Sequence, residues 1–201
     1  MKQNEDENEI VIAIIDETYD RDEDSYETES LKYVHSLREE FGEVFEKSNI
    51  GPGADIPAVV TVLKENLLPL LPWLLAAFFS GKPMVENIDA WRKILSTVQK
   101  YFSRPSVVNR NGAAVLAIGA IMEDLGGTPR SIKLKSYRPA AVWDVDDFEK
   151  LTGLDEIAGS PEIVTLGMVF HLFEIEADTV NYLVGVNGTK VLIRRVQPLL
   201  R

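Results

Sequence analysis

Residues 57–80 read Pro57-AVVTVLKENLLPLLPWLLAAFF-Ser80 and form the most apolar segment of the chain. From Leu67 to Phe79 only the Trp73 indole can form a hydrogen bond through its side chain. Such a surface must leave water, against protein or lipid, and the rest of the chain has to provide the cover. Asp55 suits a helix N-cap, with Pro57 in the first turn, where a missing N–H costs nothing. Pro69 and Pro72 each remove a helical hydrogen bond, so the helix is expected to kink or restart near residues 68–72. Gly81-Lys82-Pro83 ends it. The unbroken apolar run, Leu67–Phe79, is shorter than the roughly 20 residues that span a bilayer. Lys64, Glu65 and Asn66, just before it, are expensive at bilayer depth. The segment therefore reads as a kinked, buried helix around which the fold is organised. Any face left uncovered by its own chain is open to a partner. Leu67, Leu70, Leu71, Trp73, Leu74, Phe78 and Phe79 are the candidate partner-binding residues.

On the N-terminal side, residues 1–9 are polar and Ile10–Ile15 is a β-branched run that reads as a buried strand. Asp16–Glu29 is rich in acids and poor in apolar residues, as in an exposed loop. From about Ser30, Leu31, Val34, Leu37, Phe41, Val44 and Phe45 recur at helical spacing. This predicts a helix to about Lys47, with Ser25 or Thr28 as its cap. Asn49-Ile50-Gly51-Pro52-Gly53 breaks it.

On the C-terminal side, Val85, Ile88, Trp91, Ile94, Leu95, Val98, Tyr101 and Phe102 form one amphipathic stripe. Residues 112–125 look like a small-residue helix stopped by Gly126-Gly127, although residues 107–118 also fit a hairpin turning at Asn111-Gly112. After Pro129 the pattern is β, beginning with Ile132–Tyr137. A short helix is expected over Val145–Ile157, then strands at Ile163–Ile175, Tyr182–Val186 and Lys190–Val196. Asn187-Gly188 between the last two is a hairpin signal. The expected class is α+β. A mainly helical part with one short strand (residues 1–128) is packed with, or linked to, a small antiparallel sheet (residues 129–201).

Charge is unevenly placed. The formal net charge is −11. Residues 1–29 hold twelve acids against Lys2 and Arg21, so the remaining chain is close to neutral. No general basic footprint for nucleic acid exists. Cysteine is absent, which excludes disulfides, thiolate metal sites and thiol nucleophiles and fits a reducing cytoplasm. The acidic N-terminus does not read as a secretory signal. No cofactor motif is present.

Several patterns imitate sites. Asp20, Asp22 and Asp24 alternate like the start of a calcium loop, but Ser25 and Leu31 stand where glycine and a bidentate glutamate are needed. Asp144, Asp146, Asp147 and Glu149 fit the first turn of a helix better than an acid/base cluster. Gly51–Asp55 lacks the lysine of a phosphate loop. Lys133, Lys135, Tyr137 and Arg138 would join Lys190, Arg194 and Arg195 in a basic face if their strands adjoin. His35 and His171 are the only histidines, and each reads as structural, with no nucleophile motif nearby. No catalytic or metal-binding residue is assigned.

The order of elements over about residues 8–120 resembles the effector-associated constant component domains of bacterial conflict systems. The features are EIVIAII, a helix ending near Phe41–Phe45, the Gly51-Pro52-Gly53 break, Leu71-Pro72-Trp73-Leu74-Leu75, Gln99-Lys100-Tyr101-Phe102 and Val107-Val108-Asn109-Arg110-Asn111-Gly112. The resemblance implies a non-catalytic module that couples an effector to its partners. It favours the hairpin at Asn111-Gly112, and it leaves residues 130–201 unexplained. The expected function is a non-enzymatic adaptor or assembly module in a bacterial cytoplasm, binding other protein chains or its own copies, in the setting of antiviral defence. One alternative is a membrane-associated effector acting through residues 57–80. A second is an enzyme using His35 or His171.

Overall fold

Ile10–Ile15 (β1) lies inside a four-stranded sheet. It has Pro57–Leu63 (β3) on one side and Ser106–Val108 (β4) on the other, and Glu46–Asn49 (β2) is added outside β3. All three pairings are antiparallel. These contacts come from a computed structural model of the chain, which describes residues 9–18, 26–49, 57–63, 69–85, 88–141, 169–188 and 190–196.

The α+β class holds, but the N-terminal part carries a complete sheet rather than one strand. The 57–80 segment divides accordingly. Ala58, Val59, Val60 and Thr61 are buried in β3, in register with β1 from Ile10 opposite Leu63 to Ile15 opposite Ala58. A β-branched run flanked on both sides by other strands gains more as a strand than as a helix. Pro57 begins the strand, where a missing donor is tolerated. The helix restarts as Leu71–Phe79 (α2), with Pro72 in its first turn. Lys64–Leu68 lie outside the described residues.

Tyr26–Phe41 (α1) starts earlier and ends earlier than its periodicity predicted. Thr28 lies inside it, and Ser25 is outside the described residues. Asp16, expected in an exposed loop, is buried. Its carboxylate accepts hydrogen bonds from the Thr18 hydroxyl at 2.6 Å and the Ser30 hydroxyl at 2.7 Å. Beyond Phe41 the chain turns at Gly42, and Glu46–Asn49 pairs with β3 instead of extending the helix. Phe45 still reaches the core from this strand entry.

Ile88–Gln99 (α3) runs into a 3-10 turn at Lys100–Ser103. The expected stripe is buried at Ile88, Trp91, Ile94, Val98 and Tyr101, whereas Val85 is exposed. Residues 107–118 belong to β4 and to the helix Arg110–Leu125 (α4), so the hairpin expectation is not met. Asn109 explains why. Its side-chain oxygen accepts the Gly112 N–H at 3.1 Å, capping a helix that passes through Asn111-Gly112.

The second sheet has the order Ile132–Ala141 (β5), Val169–Ala177 (β6), Val180–Asn187 (β7) and Lys190–Val196 (β8), again antiparallel. The expected β7–β8 hairpin is present, with Asn187 still paired to Lys190 and Gly188 in the turn. The helix expected over residues 145–157 lies outside the described residues.

Helix α4 is buried on nearly every side, the mark of a central helix. It packs against β1 and β4 of the first sheet, β6, β7 and β8 of the second, and α3. Small residues permit this. A methyl group on Gly119 would sit 2.6 Å from Leu95 Cδ2, so the Leu95 side chain of α3 packs where a larger residue would force it aside.

Candidate functional site

Helix α2 has two unlike faces. Leu71, Leu74, Leu75 and Phe78 are buried in the main core. Phe78 packs edge-on against Trp91 at 5.8 Å between ring centroids and lies 6.3 Å from Phe173 of β6. The opposite face holds Leu70, 52% exposed, and Trp73, 78% exposed, with Ala76 and Ala77 also exposed. Leu70 and Trp73 are three residues apart, so their side chains emerge on one side. Neither face of α2 carries a charge.

The candidate residues therefore separate. Leu70 and Trp73 point outward; Leu71, Leu74 and Phe78 are core. Phe79 is half-buried beneath the Arg110 guanidinium, 4.4 Å from its ring centroid, and meets Tyr137 edge-on at 6.1 Å. Leu67 lies outside the described residues. Arg110 had no sequence signal, because its contact depends on α4 beginning beside α2.

His171 sits beside this aromatic group, where β6 meets the edge of the first sheet. It is 1% exposed. Its Nε2 lies 3.2 Å from the Val108 carbonyl, which can only accept, so Nε2 carries the proton and donates. Nδ1, 3.0 Å away, then accepts from the Tyr137 hydroxyl. Burial lowers the imidazole pKa to about 4, with the Arg110 charge adding to that and the Val108 bond opposing it. His35 is exposed on α1, its Nε2 3.3 Å from Glu39. The two histidines stand on separate elements.

The basic residues do not converge. β5 and β8 are opposite edges of the second sheet, so Lys133, Lys135 and Arg138 are separated from Lys190, Arg194 and Arg195 by two strands. Lys135 forms an ion pair with Glu176. Arg195 Nε donates to Asp124 at 2.8 Å and the Tyr182 hydroxyl donates to the same oxygen at 2.9 Å. Those two bonds, that of Arg195 foremost, hold the Asp124 carboxyl below its ordinary range. The first pair links two strands within the sheet and the second ties the sheet to α4, and both take up charge that a polyanion would need.

Among the described residues no group of His, Asp and Glu is placed to hold a metal. The acid patterns at Asp20–Asp24 and Asp144–Glu149 and the Gly51–Asp55 turn fall outside those residues. No described helix is long and apolar enough to cross a membrane. No family model matches the chain, and no curated protein or solved structure matches it either.

Proposed function

We propose that the chain is a non-catalytic adaptor or assembly module that binds another protein chain, or a second copy of itself, through the outer face of α2. The observation that supports this is the exposed Leu70–Trp73 pair on a helix whose other face is locked into the core. An exposed indole on a fixed helix offers a large apolar area with little side-chain entropy left to lose on binding. The cytoplasmic, bacterial-defence setting is part of the same proposal and rests on the resemblance of element order.

Substituting Trp73→Glu tests the reading. Folding stability is expected to change by no more than about 0.5 kcal/mol, as for a surface site. Association, read by size exclusion with light scattering and by co-purification from the native host, is expected to disappear. Acrylamide quenching of Trp73 fluorescence is expected to fall in the complex. A monomer that binds nothing, or a complex indifferent to Trp73→Glu, defeats the proposal.

The same uncharged face supports a second reading, in which α2 lies on a membrane surface. Flotation with neutral and anionic liposomes separates the two, since a protein-binding face leaves the chain at the bottom of the gradient.

A further inference from the structure

The two sheets meet along the outer edge of β4. Ile15 N–H donates to the Pro105 carbonyl and Asn109 N–H donates to the Val11 carbonyl. That alternation turns the Ser106 and Val108 carbonyls out of the sheet, away from β1. The second sheet covers both. Gly188, at the tip of the β7–β8 hairpin, lies against Ser106, and His171 donates to Val108. The imidazole is thus a strut with fixed polarity: it donates a hydrogen bond to β4 through Nε2 and accepts one from Tyr137 of β5 through Nδ1.

We propose that His171 is an acid-released latch that holds the second sheet onto the edge of β4 and lets go when its imidazole takes up a proton. A second proton turns Nδ1 into a donor facing the hydroxyl that had been donating to it. It also places a cation in a buried site. The groups facing the ring are the Tyr137 hydroxyl from β5, the Val108 carbonyl from β4 and the Arg110 guanidinium from the first turn of α4. Arg110 is a like charge, and no described carboxylate acts on the ring to offset it.

The sign follows from linkage. In the latched state the ring resists protonation until about pH 4, whereas in the released state it titrates near the ordinary 6.5. Protons therefore favour release, increasingly as pH falls from 6.5 to 4, and add nothing below that. Over the whole interval the release equilibrium shifts on the order of 10²-fold.

Amide exchange with pH tests this, with protection factors corrected for the intrinsic rate at each pH. The reporters are Ser106 and Val108, whose N–H groups face outward from β4 by the same alternation, compared with Phe173 and Val184, paired inside the second sheet. Protection at Ser106 and Val108 is expected to fall on the order of 10²-fold between pH 6.5 and 4, ahead of the inner pair. In His171→Gln the amide supplies one donor and one acceptor but does not titrate, and the selective fall is expected to vanish. The same fall in that variant, or a simultaneous loss at all four reporters, overturns the latch. If His171→Gln does not fold, the carbon-13 titration of His171 in the unaltered chain decides. A midpoint tracking the loss at Val108 supports the proposal, and a midpoint with protection intact overturns it.

Discussion

Gly188→Ala is expected to destabilise the fold by about 3 kcal/mol or more, a larger effect than one methyl group would produce at an open turn. Gly188 has φ 55°, and a Cβ built there overlaps the Ser106 carbonyl oxygen. The left-handed conformation alone costs a non-glycine residue roughly 1–2 kcal/mol. Forcing an atom into a close-packed contact adds about 1–3 kcal/mol. The atom it meets is backbone of a strand held on its other side by β1, so the contact cannot swing away as a side chain would. Gly126→Ala is the control. It has φ 67° with nothing within 4 Å of its Cβ position, so only the conformational part applies. Urea unfolding of both variants checks the difference. Equal losses mean that the hairpin tip does not bear on β4.

Phe78→Ala is expected to cost about 3–5 kcal/mol, the usual range for removing a buried aromatic ring. Phe78 is fully buried where α2, α3 and β6 meet, with ring neighbours Phe79, Trp91 and Phe173. The cavity would open between elements that small residues of α4 already bring close, and their backbones have little room to close over it. The comparison is Trp73, on the same nine-residue helix. The larger side chain is the expendable one for folding, and the smaller one is not. Chemical denaturation of the two alanine variants checks this, and a Trp73→Ala loss as large as that of Phe78→Ala contradicts the assignment of faces.

The legible parts of the sequence were those whose signal is local. The hairpin signal after Asn187 and the stripe from Ile88 to Tyr101 each declare their conformation within a few residues, whereas the start of α4 does not, because Asn111-Gly112 also fits a hairpin turn. Residues 57–63 carry a helix-like signal because their apolarity continues into α2 and because Asp55 and Pro57 imitate a helix start. The β-branched Val59–Val62 run was the better guide. Glu46–Asn49 has no apolar signature; it is a strand because β3 offers an edge to pair with, and periodicity within one segment cannot report that. The same holds for the site. The exposure of Trp73 and the burial of Phe78 follow from the phase of α2 against β6, and the Val108 partner of His171 lies 63 residues away.

Helix α4 also bears on the order in which the structure arises in time. Its cover comes from β1 near the start of the chain and from β6, β7 and β8 near the end, and β4, just before it, pairs back across the chain to β1. Capped at both ends, α4 can form locally as a transient helix, but a single helix of 16 residues is marginal in water. It gains its packing only after contacts of long sequence separation close, and closing them is slow. Folding is therefore expected to proceed with the two sheets closing on α4 together. Stopped-flow refolding should then show α4 amides and the β6–β7 ladder acquiring protection in one phase; an earlier phase for either shows that half of the cover suffices.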